Sequence, residues 1–185
     1  MQSSARAAVE PANALVDRCV AGEQAAWRSL HQRYHQTAIS VLRRMGVRPD
    51  QLQDACQEVF LDVFHYLPRF RQEADFRSWL YRICVSHARV ARRRARVARL
   101  LESVLSTVRS QPAEPMLDEG QASRKLAAAM ERLSHGERAA FVLFELEGLS
   151  GREVAAALGC PESTVFRRLH DARKRFSAAV EASGG

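Results

Sequence analysis

Apolar residues along this 185-residue chain are spaced as they are in α-helices. They recur every three or four positions, which places them on one face of a helix. The strict alternation typical of a half-buried β-strand is nearly absent. The spacing predicts helices at 12–20, 23–45, 49–66, 76–99, 119–133, 135–147, 150–158 and 162–181. We therefore expect an all-α fold.

The helical pattern breaks between residues 101 and 118, where small, polar and proline residues replace it. Such a composition predicts a flexible linker. Each side of it has enough apolar helix to form a small core, so we expect two small helical domains, 12–100 and 119–182. Residues 1–11 have neither the helical pattern nor the apolar core of a signal peptide and are predicted to be a loose tail.

The clearest motif lies in the second of these domains. Ser150 and Glu153 have the spacing of a capping box, Gly159 supplies the turn, and Pro161 suits the entry to a second helix. Two short amphipathic helices joined at a glycine are typical of a helix-turn-helix, whose second helix fits the DNA major groove. Taken alone, the segment is also compatible with an ordinary helical hairpin that has a solvated basic face.

The second helix of this motif has distinct inner and outer faces. Val165 and Leu169 are predicted to pack inward. The residues left largely outside are polar or basic: Ser163, Thr164, Arg167, Arg168 and Arg173. These are the side chains that the motif would present to DNA.

The helix at 49–66 also carries two contrasting faces. Its predicted inward stripe is Leu52, Ala55, Cys56, Val59, Phe60, Val63, Phe64 and Leu67. The opposite face holds Asp54, Gln57, Glu58, Leu61 and His65. A single exposed leucine is common, so an ordinary solvated face is one interpretation. In a basic chain, an acidic patch with an apolar centre also indicates a docking site for a basic protein partner.

The helix at 76–99 combines aromatic and basic residues. Phe76, Trp79, Leu80, Ile83, Cys84 and His87 are predicted to face the core. Arg77, Tyr81, Arg82, Ser86, Arg89 and the run Arg92, Arg93, Arg94 surround them, and the loop 69–75 precedes them. Aromatic rings interleaved with arginines suit single-stranded DNA, because bases stack on rings while cations follow the phosphates. The alternative is a basic helix that touches only duplex phosphates.

Charge and cysteine usage narrow the function classes. The net charge is +7 with an isoelectric point of about 9.9, which favours a polyanionic partner. Eleven arginines against three acidic residues lie between Arg69 and Arg109, so the rest of the chain is nearly neutral. No apolar run approaches the length of a membrane span. The four cysteines are never paired as C-x-x-C and are interpreted as small apolar residues in a reducing cytoplasm.

The sequence offers no catalytic or metal-binding constellation. His31 and His35 are four residues apart, but no third ligand accompanies them. The sequence contains no glycine-rich phosphate-binding loop. It also contains no nucleophile and base at a spacing that supports catalysis. We expect no enzyme activity, no metal and no cofactor.

Four segments together resemble a known family. They read Asp-Ala-Cys-Gln-Glu-Val-Phe at 54–60, Phe-Arg-Ser-Trp-Leu-Tyr-Arg-Ile at 76–83, Glu-Leu-Glu-Gly-Leu-Ser at 145–150 and Ser-Thr-Val-Phe-Arg-Arg-Leu-His-Asp-Ala-Arg at 163–173. In this order and spacing, from about Leu15 to Phe176, the chain resembles bacterial sigma factors of the sigma-70 superfamily, specifically the compact two-domain extracytoplasmic-function class.

The resemblance implies a role for each candidate site. Core RNA polymerase would be bound by Asp54, Gln57, Glu58 and Leu61. The minus-ten promoter element would be captured and opened by Arg69, Phe70, Arg71, Arg77, Tyr81, Arg82, Ser86 and Arg89. The minus-thirty-five element would be read by Ser163, Thr164, Arg167, Arg168, Arg173 and Lys174. A dedicated anti-sigma protein is a further implied partner, and bond formation would belong to the polymerase.

Some residues depart from the family pattern. Ser86 and His87 stand where many relatives carry asparagine and an aliphatic residue, and Phe166 stands where lysine is usual. No promoter sequence is therefore carried over. Two alternatives of other classes remain. A helix-turn-helix regulator that binds duplex DNA without acting as a sigma subunit would leave the acidic face and the aromatic-arginine helix unused. An anti-polymerase or RNA-binding adaptor would leave the two separate DNA-reading units unexplained.

Overall fold

The computed structural model describes residues 10–70, 75–105 and 127–182. Within these residues every regular element is helical and no strand forms, which confirms the all-α prediction. The α-helices are α1 (Ala12–Val20), α2 (Gln24–Arg44), α3 (Leu52–Tyr66), α4 (Phe76–Leu105), α5 (His135–Phe141), α6 (Gly151–Leu158) and α7 (Glu162–Ala182). Short 3₁₀ turns at Pro49–Gln51 and Leu67–Arg69 flank α3, and a π-helical turn at Val142–Leu146 continues α5.

Helix α4 is longer than the sequence pattern predicts. It continues to Leu105, so the first residues of the segment predicted as a linker, 101–105, are helical. Alanine, arginine and leucine are good helix formers, and the first proline beyond them is Pro112, so nothing local ends the helix at residue 100. The rest of the predicted linker lies outside the described residues, as do most of the predicted tail and of the helix predicted at 119–133.

The N-terminal helices pack around the apolar faces of α2 and α4. Leu30 and Ala38 from α2, Val59 from α3, and Phe76 and Leu80 from α4 have no exposed surface. Full burial of side chains of this size supplies roughly 1.5–3 kcal/mol each relative to exposure. This packing fixes α3 and α4 side by side, so that their outer faces form one continuous surface.

The cysteines follow the predicted pattern. Cys19, Cys56 and Cys84 are buried in this core, and all four thiols of the chain are free. Burial raises the pKa of Cys19 and of Cys56 to about 11, so both thiols stay protonated at neutral pH.

The C-terminal helices are bounded by the signals that the sequence contains. Ser134 and Glu137 form a capping box at the start of α5, and Ser150 and Glu153 form another at the start of α6. The hydrogen bonds from Ser150 lower the pKa of Glu153, which keeps its carboxylate charged. Gly159 ends α6 in the left-handed region with φ of 61°, which turns the chain into α7. The helix-turn-helix geometry is thus built locally.

The two helical regions contact each other through a buried carboxylate. The side chain of Glu147, only 8% exposed, follows the π-helical turn and points to the N-terminal helices. Its Oε2 atom accepts a hydrogen bond from the Tyr81 hydroxyl at 2.7 Å and lies 3.6 Å from Nη2 of Arg77. Its Oε1 atom pairs with Nη1 of Arg44. We call these four residues the interdomain cluster.

A second contact between the regions is made by a buried arginine. Arg138 of α5 is 1% exposed and donates through Nη1 to the carbonyl oxygen of Met45 at 3.2 Å and through Nη2 to that of Met130. Gly46, with φ of 85°, makes room for it, because a Cβ there would collide with Nη1 of Arg138. Burial lowers the pKa of Arg138 to about 10, so it remains a cation at neutral pH.

Loss of the central carboxylate is expected to weaken the contact between the two regions. Glu147→Ala removes the acceptor of a fully buried phenol, which costs about 1–3 kcal/mol of unfolding free energy. Urea denaturation followed by circular dichroism measures this loss. Glu145→Ala is the matched control, because its ion pair with Arg173 is exposed and contributes at most about 1 kcal/mol. Equal destabilisation by both variants would contradict a structural role for the cluster.

A pH dependence is expected from His135, whose Nδ1 atom is buried without a hydrogen-bond partner among the described residues. Burial, together with nearby cations, lowers its pKa to about 4; these cations are Arg92 and Arg89 on α4, Arg138 on α5 and Arg168 on α7. The unfolded chain, with an ordinary pKa of about 6.5, binds the proton more tightly. Stability should therefore fall as the pH drops from about 6.5 towards 4 and then level off.

The test is the slope of unfolding free energy against pH between about pH 7 and pH 5. His135→Gln cannot take up a proton, so its slope should be shallower than that of the wild type. His170→Gln, at an exposed position of α7, is the control and should keep the wild-type slope. Identical slopes for all three proteins would refute the assignment.

Candidate nucleic-acid and docking surfaces

The outer face of α3 carries the residues predicted to bind a protein partner. Asp54, Gln57 and Leu61 are exposed, and Glu58 is half-buried. Leu61 is 60% exposed, and Phe64 beside it is 62% exposed. The prediction that Phe64 faces the core is wrong, because α2 and α4 cover only part of the apolar stripe. We call Asp54, Gln57, Glu58, Leu61 and Phe64 the docking surface.

A groove of about 740 Å³ runs beside the docking surface, between α2 and α3. Its apolar and aromatic lining consists of Trp27, Leu30, His31, His35, Cys56, Phe60, Leu61 and Phe64. The rings of Trp27 and Phe64 are 4.8 Å apart, and those of His31 and Phe60 are 4.5 Å apart. Burial lowers the pKa of His31, which favours its neutral form. The groove therefore extends the apolar part of the docking surface.

The acidic part of the docking surface is tied to α4. His87 lies between two carboxylates, with Nδ1 3.3 Å from Oε2 of Glu58 and Nε2 2.8 Å from Oδ2 of Asp62. Arg94 adds an ion pair to Glu58 at 3.3 Å. Asp54 has no ion pair within the part of the chain that the structure describes. Glu58, by contrast, is paired with His87 and Arg94.

Aromatic rings cluster where the loop enters α4. Phe70 is half-buried, with its ring 5.0 Å from that of Trp79 and 6.1 Å from that of Phe76. Arg69 beside it is exposed, whereas Arg71 lies outside the described residues. Trp79 is half-buried and packs against the core, as the spacing predicts. Phe70 thus keeps part of its ring at the surface, next to a cation.

The sequence predicts that Tyr81 lies on the surface, but the structure places it in the interior. Its side chain has no exposed area, because Glu147 and the chain around it cover the phenol. The hydroxyl also accepts a hydrogen bond from Nε of Arg77 at 2.7 Å. Burial and donation to Glu147 raise the pKa of Tyr81, so it stays neutral. In this arrangement Tyr81 belongs to the interdomain cluster and cannot contact a base.

The remaining predicted minus-ten residues on α4 are available to solvent. Arg82, Ser86 and Arg89 are exposed, and Arg77 keeps almost half of its side chain exposed. Arg82 also reaches the helix-turn-helix, since its Nη2 atom would lie 3.0 Å from a Cβ at Gly159. The basic face of α4 is therefore partly shared with the turn between α6 and α7.

The predicted DNA-reading residues on α7 differ in exposure. Ser163, Arg167 and Lys174 are exposed, while Thr164 and Arg168 are half-buried. Arg168 extends towards the turn, with Nη1 3.6 Å from Sγ of Cys160, and lies against Gly136. Arg168, predicted to lie largely outside, is therefore only partly exposed, because Gly136 of α5 and the turn cover one side of it.

Arg173 is exposed but already paired. Its Nε atom donates to Oε1 of Glu145 at 2.8 Å, and a second ion pair joins the same two side chains. Phe166 is 50% exposed, and a Cβ at Gly151 would lie 2.8 Å from its ring. Arg167 is thus the arginine of α7 that most freely faces solvent beside the turn.

Sequence reasoning missed the interdomain cluster. Glu147 and Arg44 were not predicted to be functional, since their partners lie 66 and 103 residues away along the chain. Local periodicity contains no signal for such contacts. No group of three or more metal-ligating side chains occurs in the described ranges. None of the described helices is long and apolar enough to cross a membrane.

Comparison with known proteins identifies both helical regions. Residues 30–106 match the family model of sigma-70 region 2, and residues 123–176 match that of sigma-70 region 4. The chain is 32% identical over 180 residues to the ECF RNA polymerase sigma-E factor of Escherichia coli K12, covering 90% of this chain and 93% of that protein. It is 29% identical to the RNA polymerase sigma-H factor of Pseudomonas aeruginosa, over 90% of this chain and 92% of that protein.

Two solved structures share the fold of this chain. CnrH, solved in complex with the cytosolic domain of CnrY, has a TM-score of 0.71 and 26% identity, covering 94% of this chain and 99% of that chain. RpoE of Bartonella quintana, solved with the anti-sigma factor NepR, has a TM-score of 0.65 and shares the fold at 19% identity, over 83% of this chain and 96% of that chain. Both sigma-70 regions match in one chain, and the sigma-E factor of Escherichia coli K12 is 32% identical to it. The protein therefore belongs to the extracytoplasmic-function family of RNA polymerase sigma factors.

Proposed function

We propose that this protein binds core RNA polymerase through the docking surface on α3, directs the enzyme to specific promoters and promotes melting of the minus-ten element. The observation that carries the proposal is the presence of sigma-70 regions 2 and 4, in this order, in one chain. A duplex-DNA regulator that is not a sigma subunit would leave the exposed apolar centre of α3 without a role. The protein has no catalytic role of its own in the proposal, and RNA synthesis belongs to the polymerase.

Core binding is supported by the chemistry of the docking surface. Leu61 and Phe64 expose apolar area, and Asp54 supplies a carboxylate that forms no ion pair with any residue the structure describes. Apolar side chains with an adjacent acid suit a helical partner that presents leucines or aromatics beside arginine or lysine. The adjoining groove between α2 and α3 extends the area that such a partner can cover.

Promoter binding divides between two helices. For the minus-ten element, Phe70 offers a partly exposed ring for stacking, and Arg69, Arg82 and Arg89 offer cations for phosphate. For the minus-thirty-five element, α7 offers Ser163, Thr164 and Arg167 near the turn as base-reading side chains. Arg173 and Lys174, farther along α7, are assigned to phosphate. Single-strand capture and duplex reading are thus separate tasks of α4 and α7.

Regulation by an anti-sigma protein follows from the same surfaces. The protein would act in the cytoplasm, and a partner that covers Leu61 and Phe64 would block access of core polymerase to them. In the arrangement described here the interdomain cluster also holds region 4 against α4. Release of Glu147 is then needed before Tyr81 can reach DNA.

Substitution of the docking surface is expected to abolish sigma activity without unfolding the protein. Asp54→Arg and Leu61→Asp change exposed side chains, so the fold should persist, while disruption of an interface charge or apolar centre costs about 2–5 kcal/mol of binding. Run-off transcription with purified core polymerase, on a promoter library, measures activity, and a pull-down measures core binding. The wild type should produce promoter-specific transcripts, and both variants should lose them.

Val20→Asp is the matched control for this experiment, because Val20 is 49% exposed on α1 and belongs neither to the docking surface nor to the lining of the groove. It should transcribe like the wild type. If Asp54→Arg and Leu61→Asp bound core polymerase as tightly as the wild type does, the docking site would have to lie elsewhere. A wild type that gives no promoter-specific transcript would favour the duplex-binding regulator.

Two arginines of α7 are expected to have different effects on promoter choice. Arg167→Ala should relax preference at one or two positions of the minus-thirty-five element, since a base contact discriminates by roughly 1–3 kcal/mol. Arg173→Ala should weaken all promoters alike and lower the salt slope of binding by about one unit. Selection from a promoter library, with binding measured at several salt concentrations, separates the two effects.

The ion pair of Arg173 provides a control within the same site. Glu145→Ala frees the guanidinium of Arg173, so it should strengthen binding to all sequences without altering preference. The assignment would be inverted if Arg173→Ala changed the selected sequence while Arg167→Ala left it unchanged.

A further inference from the structure

A cavity lined by arginines lies on the side of α4 away from the docking surface. It has a volume of about 340 Å³ and lies between the chain that follows α2, the second half of α4 and Glu131. Arg48, Arg92, Arg96 and Arg99 contribute four guanidinium groups, and Glu131 is its one acidic lining residue among those that the structure describes. We call this space the arginine cavity.

Three of these cations form no ion pair with a described residue. Arg48 pairs with Asp50 at 3.0 Å, whereas the side chains of Arg92, Arg96 and Arg99 have no such ion pair, although Glu131 attracts Arg92. Arg92 is half-buried, and its burial lowers its pKa; the carboxylate of Glu131 opposes this shift, and the charges of Arg96 and Arg99 add to it. Like charges held together at a partly desolvated position repel one another, and a bound anion relieves that repulsion.

The buried Arg138 adds positive charge beside the arginine cavity. Its Nε atom is buried and has no hydrogen-bond acceptor among the described residues. Gly46, which lines the cavity, stands beside two guanidinium groups: a Cβ there would collide with Nη1 of Arg138 and lie 3.4 Å from Nε of Arg92. A glycine at this point lets two cations approach each other: Arg92 lines the cavity, and Arg138 is buried on the other side of Gly46 and does not line it.

We propose that the arginine cavity binds a small anion carrying two or three linked phosphates. Guanidinium groups bind phosphate oxygens through paired, charge-assisted hydrogen bonds, and several converge here. The volume equals that of about eleven water molecules in the liquid, which leaves room for a diphosphate with part of its hydration shell. The site is recessed between three segments, which favours a compact anion over the extended backbone of a DNA duplex.

The position of the cavity gives the ligand a consequence for the whole protein. Arg48, Arg92, Arg96 and Arg99 belong to the N-terminal region, whereas Glu131 and Arg138 belong to the C-terminal region. An anion held by Arg92 also attracts the charge of Arg138, which is buried beside Gly46, and thereby stabilises the packing of the two regions. The inference does not depend on the proposed sigma activity, because binding is measured on the free protein.

The test is calorimetric titration of the full chain with sodium pyrophosphate at constant ionic strength. Wild type should bind, and its melting temperature should rise above that in a sodium chloride buffer of equal ionic strength. Arg92→Gln and Arg96→Gln should each bind roughly tenfold more weakly, as expected for the loss of a charge-assisted contact. Circular dichroism verifies that each variant is folded, and exposed Arg96 provides the second variant if Arg92→Gln is unstable.

Arg93→Gln is the matched control, because Arg93 lies next to Arg92 on α4 but is exposed and lines a different surface. It makes the same change in net charge and should keep the wild-type affinity. A parallel titration with adenosine triphosphate distinguishes recognition of linked phosphates alone from recognition of a nucleotide. If the site recognises a nucleotide, adenosine triphosphate should bind more tightly than pyrophosphate.

Three results would overturn the proposal. The first is no pyrophosphate binding beyond the effect of ionic strength. The second is equal affinity in all four proteins, which would indicate diffuse attraction to a basic chain. The third is that no protein binds pyrophosphate while Arg92→Gln binds a short nonpromoter duplex more weakly than the wild type does. That result would assign these arginines to the DNA backbone.

Discussion

The relative placement of the two helical regions depends on a carboxylate withdrawn from water. Glu147 at 8% exposure must be paired, since an uncompensated buried charge costs several kcal/mol. Its partners come from α2 and α4, so satisfying it fixes where the π-helical turn and α6 meet the N-terminal helices. The intact cluster adds little net stability, because its arginines are partly solvated, whereas removal of one member is costly because it leaves a buried partner unpaired. Its main effect is on geometry: it favours the arrangement of the two regions in which the buried carboxylate of Glu147 is paired.

This arrangement separates the charges of the chain by function. The acids of α3 are partly engaged by His87 and Arg94, which leaves Asp54 and an apolar centre facing outward. On α4, Arg82 and Arg89 remain exposed on one side, whereas Arg92 and Arg96 line a cavity on another. One long helix thus serves three surfaces, because its residues point in different directions every 100° or so.

Sequence predicts the parts of this structure that local chemistry determines. The capping residues Ser134 and Ser150, the left-handed Gly159 and the buried cysteines all follow from spacing and residue type. Phe64 and Tyr81 were misplaced, because an apolar stripe does not reveal how much of it a neighbouring helix covers. The assignments of binding residues on α3, α4 and α7 came from family resemblance and remain predictions, since no bound partner defines them.

The distribution of the thiols gives the protein a built-in site for chemical labelling. Cys19, Cys56 and Cys84 are enclosed in the core, and burial keeps the first two protonated, so a maleimide reagent reaches them only when the helices open. Cys160, half-exposed in the turn between α6 and α7, is accessible in the folded protein. A fluorophore attached there would sit beside Arg168 and report events at the helix-turn-helix without any engineered cysteine. Slower labelling of the other three would record, in the same sample, the rate at which the core opens.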